Sequence, residues 1–182
     1  MKQPGMVYRF KIAPNYNKRV WRRIDILKNQ KVGELDMMIR NAFEYEADSH
    51  LSQFFRGKAW NSEGFGVIEP GEKGYAENKL ISGLGFLQGD VFEYVYDFGD
   101  DIDHTIKLEK IFPAEEKTDY PLLSGRNKPK YVLCESCLKD GRETVATWIC
   151  NQCSYKEERD VVICEECLLK YHNNHFAEKI LY

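Results

Sequence analysis

The chain has 182 residues and a net charge of −3, with 43% hydrophobic and 13% aromatic residues. A chain this long and this rich in aromatics can bury a core, which excludes a disordered polymer and leaves room for one domain and a small appendage. No apolar run approaches the roughly 20 residues of a membrane span, and the opening MKQPGMVYRFK lacks the apolar centre of a signal peptide, so a cytoplasmic protein with no membrane partner is expected.

Near the N-terminus, Tyr8, Phe10 and Ile12 alternate with Val7, Arg9 and Lys11, the two-residue period of a strand. Ala13-Pro14-Asn15-Tyr16-Asn17 is turn chemistry, and VWRRIDIL (Val20 to Leu27) reads as the returning strand of a hairpin. In VGELDMMIRNAFEYE, Leu35, Met38, Ile39, Ala42 and Phe43 fall on one helical face, which predicts an amphipathic helix covering a sheet. Glu34 and Asp36 near its start suit the positive end of the helix dipole.

HLSQFFR (His50 to Arg56) reads as a third strand, and residues 57–74 as a Gly-rich irregular stretch. VFEYVYDF (Val91 to Phe98) and HTIKLEKIF (His104 to Phe112) are two further strands. This order predicts an α+β domain with a mixed β-sheet packed by the amphipathic helix. Three prolines from Pro113 to Pro129 mark a connection, so the first domain is placed at residues 1–130, with 113–130 as its connection, and a second module at 131–182.

Between the last two strands, YDFGDDIDH holds four aspartates and a histidine. Asp97, Asp100, Asp101, Asp103 and His104 are candidates for a divalent-metal site, since carboxylates suit hard cations that activate water, as in a hydrolase or nuclease. The favoured expectation is a tight hairpin tip without a bound metal. A two-residue loop at Asp100-Asp101 or a four-residue loop at Gly99 to Ile102 would set Asp97 directly opposite His104, giving a structural carboxylate–imidazole contact.

Charge is unevenly spread: residues 1–60 carry 12 Lys/Arg against 6 Asp/Glu, whereas residues 61–133 carry 8 against 14. Pairing of these segments within the fold is the expected use. Nucleic-acid binding through Arg9, Lys11, Lys18, Arg19, Arg22 and Arg23 on the first hairpin is a second reading, because basic side chains on one ribbon reach phosphates.

All six cysteines lie beyond residue 133, as Cys134/Cys137, Cys150/Cys153 and Cys164/Cys167, followed by His172 and His175. Each short pair lets two ligands grip one ion, and eight ligands are the number for two closed tetrahedral zinc sites. Filled four-coordinate shells leave no position for water, so these zincs are expected to be structural. Sequential, nested and cross-braced groupings are all compatible with the spacing. Trp148, beside a knuckle in VATWIC, reads as packing in the small core, with partner contact as its second use.

Taken together, the early strands, the helix with its downstream HLSQF, GDVFEYVYDFGDDIDHTIKLEKI and DYPLLSG resemble the Ri-plasmid ORF-three-like (plasmid pRi ORF-3-like) domain over residues 5–127. Ile102 stands where that family often has an aromatic, and cysteine pairs follow where it often has Pro-Pro-Glu-Asp and Gly-Gly. The resemblance implies an α+β domain found in microbial proteins and in some mobile elements, with no established biochemical role. The C-terminal spacing resembles ZZ-type and B-box-type cross-braced fingers. That similarity implies one site of Cys134, Cys137, Cys164 and Cys167 and another of Cys150, Cys153, His172 and His175. No P-loop, nucleophile elbow or His-Glu-x-x-His motif occurs, so a non-enzymatic binding or adaptor protein with a protein partner is expected.

Overall fold

Alternating apolar residues at the N-terminus produce β1 (Met6–Pro14), which returns as β2 (Arg22–Leu27), with Phe10 opposite Ile24 and Ile12 opposite Arg22. The helix α1 (Val32–Ala42) follows, then β3 (Ser52–Phe55), β4 (Gly64–Ile68), β5 (Val91–Tyr96), β6 (Ile102–Pro113) and β7 (Leu122–Arg126). The computed structural model describes residues 5–71 and 74–182. The chain divides into two compact units, Met1–Asn127 and Lys128–Tyr182.

In the first unit the strands form one seven-stranded sheet, ordered β4-β3-β5-β6-β1-β2-β7. The α+β class is as expected, but the sheet is antiparallel in every pairing and not mixed. Neighbouring parallel strands need a long crossover, usually a helix. The only α-helix of this unit among the described residues joins β2 to β3, which lie four places apart in the sheet.

Two strands fall where none was expected. β4 lies in the stretch read as irregular, because Gly64 and Gly66 hide its pattern. Gly64 leaves room for the Gln53 side chain, which a Cβ would overlap, and Gly66 has a φ of +105°. β7 lies in the stretch read as a connection, and it pairs with β2 through Arg23–Gly125 and Asp25–Leu122. Its short run, with Pro121 before it and Gly125 inside, suits a sheet edge and carries little strand signal.

The helix lies on the face that carries Phe10, Ile24, Phe92 and Leu108, all fully buried, and adds Leu35 and Ile39 to them. Its acidic residues divide the work differently from the expectation. Glu34 caps the helix start, its carboxylate accepting from the Lys31 amide at 2.7 Å, whereas Asp36 turns into the core. There one Asp36 oxygen accepts from Arg40 Nε at 2.8 Å and the other from Ser52 Oγ at 2.6 Å and Tyr94 Oη at 2.7 Å. Arg40 is itself fully buried.

Removing one partner of a buried ion pair leaves an uncompensated charge, at a cost of about 3–5 kcal/mol. Asp36→Ala is therefore expected to destabilise the N-terminal unit by about that amount in urea unfolding; a loss below about 1 kcal/mol would show that the network does not hold the helix to the sheet.

Candidate metal centres

The second unit repeats one local device three times. Cys134 stands at the N-cap of α2 (Glu135–Lys139), where its sulfur accepts from the Cys137 amide, Cys150 ends β8 (Trp148–Cys150) at the N-cap position of α3 (Asn151–Glu157), and Cys164 follows β9 (Val162–Ile163) at the N-cap position of α4 (Glu165–Tyr171). The second cysteine of each pair then falls in the first helical turn beside the first. His172 is the C-cap of α4, and His175 sits in the turn before β10 (Ala177–Lys179).

These elements gather eight ligand atoms into two sets, Cys134/Cys137/Cys164/Cys167 and Cys150/Cys153/His172/His175, each within 4.8 Å. Either group can hold a metal ion. In the first, Cys137 Sγ lies 3.7 Å from Cys164 Sγ and 3.6 Å from Cys167 Sγ. A tetrahedron with metal–sulfur bonds near 2.3 Å has edges of about 3.8 Å. In the second, the sulfur-to-Nδ1 distances run from 3.2 to 3.5 Å and the two Nδ1 atoms are 3.2 Å apart. Tetrahedral Cys₂His₂ edges are about 3.6 and 3.3 Å. All six thiols are free, and the separations measured are far longer than a disulfide bond.

Burial differs between the sets. All four thiols of the first are buried, whereas Cys153, His172 and His175 of the second are only half-buried. The core of this unit is Cys134, Cys137, Ala146, Cys150, Val161, Ile163, Cys164 and Cys167, so most of it is ligand. Trp148 packs against that core. Burial pushes the Cys164 and Cys167 thiols up, whereas at Cys134 burial is outweighed by hydrogen bonds from Cys137 and Cys164, leaving it at about 7. A metal entering the Cys₄ set would displace protons.

The tip of the β5–β6 hairpin departs from the expected register. Tyr96 pairs with Ile102 and Tyr94 with His104, so Asp97 is not opposite His104 and the connection runs over residues 97–101. Asp97 and Asp101 adopt left-handed backbones, with φ of 57° and 54°, which Asp tolerates better than most residues. The five-residue turn accounts for the shift. Asp97 finds a different histidine: its Oδ2 is 3.0 Å from His50 Nδ1.

Among the described residues the five tip candidates share no metal-sized cluster. Asp101 accepts from Trp60 Nε1 at 2.9 Å, and Asp100 is exposed. Asp103, whose Oδ1 is buried without a hydrogen-bond partner, has its carboxyl raised by burial and then by Asp101 and Glu93. His104 is fully buried among the rings of Phe43, Tyr45 and Tyr94. Its Nδ1 is 3.0 Å from the Ile102 carbonyl, which can only accept, so Nδ1 carries the proton and Nε2 accepts from Tyr45 Oη at 2.8 Å.

The basic hairpin is also rearranged. Arg22 is buried on the helix side, donating to the Ala42 carbonyl and lying over Phe43, so it is removed from any surface patch. Arg9 pairs with Asp25 and Arg23 with Glu109, while Lys18 and Arg19 are exposed in the turn.

The sequence pattern described as plasmid pRiA4b ORF-3-like protein matches residues 6–130. The chain belongs to the plasmid pRiA4b ORF-3-like family. A solved structure of a protein of unknown function, MM3350 from Methanosarcina mazei Go1, is 27% identical; the similarity covers 67% of this chain and 69% of that one, with a TM-score of 0.54. No curated protein matches. The family match ends at residue 130, so in this plasmid ORF-3-like protein both Cys/His groups lie outside it. Among the described residues no helix is long and apolar enough to cross a membrane.

Burial lowers His104 from 6.5 to about 4. The unfolded chain takes up this proton near pH 6.5 and the folded one resists it, so the contribution of His104 is whole above pH 6.5 and drains away as pH falls to about 4. The total is on the order of 3 kcal/mol. His104→Gln is expected to flatten the pH dependence of hydrogen-exchange protection in β5 and β6 across this window. Identical slopes in the two proteins would contradict a neutral buried imidazole.

Proposed function

We propose that this family member is a non-enzymatic binding protein whose C-terminal unit, residues 131–182, is held together by two structural zinc ions. Cys134, Cys137, Cys164 and Cys167 hold one ion, and Cys150, Cys153, His172 and His175 the other. The observation that carries this reading is the fit of the Sγ and Nδ1 separations to the edges of two tetrahedra. Thiolate and imidazole sets of this geometry suit zinc above hard cations, which prefer oxygen ligands.

Each shell is filled by four protein ligands, so neither ion has an open position from which to polarise a substrate or activate water. The first and third cysteine pairs share one ion, and the second pair and the histidines share the other. The interleaving braces α2, α4 and the β8–β9–β10 sheet from two points. The same unit exposes Tyr155, Leu169, Tyr171 and Phe176, which supports its use as an adaptor for a protein partner.

Elemental analysis of freshly purified, reduced protein is expected to find two zinc ions per chain; one or none would contradict the assignment. A chelator should abolish hydrogen-exchange protection beyond residue 130 and leave β1 to β6 protected, because a unit with a ligand-built core takes its folding energy from metal. His172→Ala is expected to keep about one zinc. The non-enzymatic reading fails if the protein shows divalent-ion-dependent phosphodiester cleavage that Asp100→Ala removes.

A further inference from the structure

We propose that the sheet face opposite α1, across β6, β1, β2 and β7, binds single-stranded nucleic acid through Lys11, Lys107, Lys110, Arg23 and the indole of Trp21. The inference names a partner for the N-terminal unit and rests on the reading of the chain as a binding protein, though not on its metal content.

Strand geometry sends alternate residues to this face. Toward β3 and β5 it is closed by Phe55, Ala59, Val95 and Phe98. Farther across the sheet its character changes. Lys107 stands opposite Lys11, Lys11 opposite Arg23, and Arg23 opposite Gly125. Three cations therefore lie side by side, at cross-strand Cβ separations of about 5 Å, where like charges repel. Lys110, opposite Arg9, adds another.

The fold neutralises part of this charge. Glu109 holds Arg23 at 2.6 Å and Asp25 holds Arg9 at 2.7 Å. Lys11, Lys107 and Lys110 make no ion pair among the described residues, and Lys107 and Lys110 are exposed. Neighbouring lysines that the fold leaves unmatched are a local cost, and a polyanion laid across them turns that cost into attraction.

The aromatic component decides the class of polyanion. A Cβ on Gly125 would lie 3.8 Å from Trp21 Cζ3, so the indole rests beside that glycine. Lys11 Nζ is 4.9 Å and Arg23 Cζ 4.5 Å from its ring centroid. The half-buried indole with cations over its face sets a π surface beside charge for the adjoining phosphates, the combination used on unpaired strands. An acidic peptide would satisfy the lysines and leave the ring unused. A duplex hides its bases from a flat sheet face, since its major groove admits a helix or a two-stranded ribbon.

The test uses the full chain with its metal and a fluorescein-labelled oligothymidylate of about 20 nucleotides, read by fluorescence anisotropy. Three phosphate contacts predict a log–log salt slope of about −2, or a roughly 20-fold loss of affinity between about 50 and 200 mM salt. Lys11→Gln and Lys107→Gln should each reduce the slope by about 0.7. Trp21→Leu should weaken binding on the order of tenfold at an unchanged slope, with Trp21→Phe retaining it. Lys156→Gln, in the other unit, should change neither.

Absence of binding at about 50 mM salt, or tighter binding of the matching duplex, overturns the proposal. So does competition by polyglutamate at equal charge together with indifference to Trp21→Leu, which would mark a surface for acidic protein. Zinc measured on the same samples separates the two readings. Two zincs without nucleic-acid binding reject only this surface, and binding without zinc rejects only the metal assignment.

Discussion

A guanidinium with no access to water must find acceptors for its N–H groups inside the protein, and Arg40 does so around a full circle. Its Nε reaches Asp36, one terminal nitrogen reaches the carbonyls of Glu46 and Ser49, and the other reaches the His50 carbonyl and Ser52 Oγ. One side chain thus joins α1, the segment after it and β3, and it lies over the Tyr96 ring of β5. The backbone from Glu46 to His50 is held as a consequence. Tyr45 stacks on Tyr96 with centroids 4.5 Å apart, and His50 is carried to Asp97. The hairpin tip, with its left-handed aspartates, is ordered from the helix outward.

The C-terminal unit solves the same problem by opposite means. The N-terminal unit surrounds a charge pair with fully buried apolar and aromatic side chains, whereas the smaller unit has Ala146, Val161 and Ile163 as its buried apolar residues besides cysteine. Packing of that size cannot offset the entropy of ordering some fifty residues, at about 1–2 kcal/mol each for the backbone. Metal held by the two Cys/His groups would supply what burial lacks, and the repeated cysteine at a helix start places two ligand residues at little cost in chain length.

Much of this was legible in the chain. Periodicity located β1, β2, α1, β3, β5 and β6, and the cysteine spacing brought out all eight residues that the fold gathers. Failures occurred where long-range contacts override local pattern. Asp36 has the look of a dipole partner because nothing in the sequence announces Tyr94 and Ser52 above it. Arg22 has the look of a surface base until α1 covers it. Asp97 and His104 differ by seven positions, which suits a tight loop, but the pairing of Tyr96 with Ile102 spends five residues on the turn. Glycine obscured β4 and β7, and Lys107 and Lys110 join the basic hairpin only through the pairing of β6 with β1.

The sheet is open, and an open sheet ends in backbone that can template another copy. Its two outer strands are the two that sequence pattern concealed, and the concealment and the protection share a cause. β4 carries a glycine at φ +105°, which turns its backbone out of the extended conformation a docking strand requires. β7 is five residues long, preceded by Pro121 and closed by Arg126, so it offers few donors and ends in a charge. Residues that weaken a strand as a signal also weaken it as a seed, and the molecule can keep a seven-stranded sheet without inviting fibre growth at either rim.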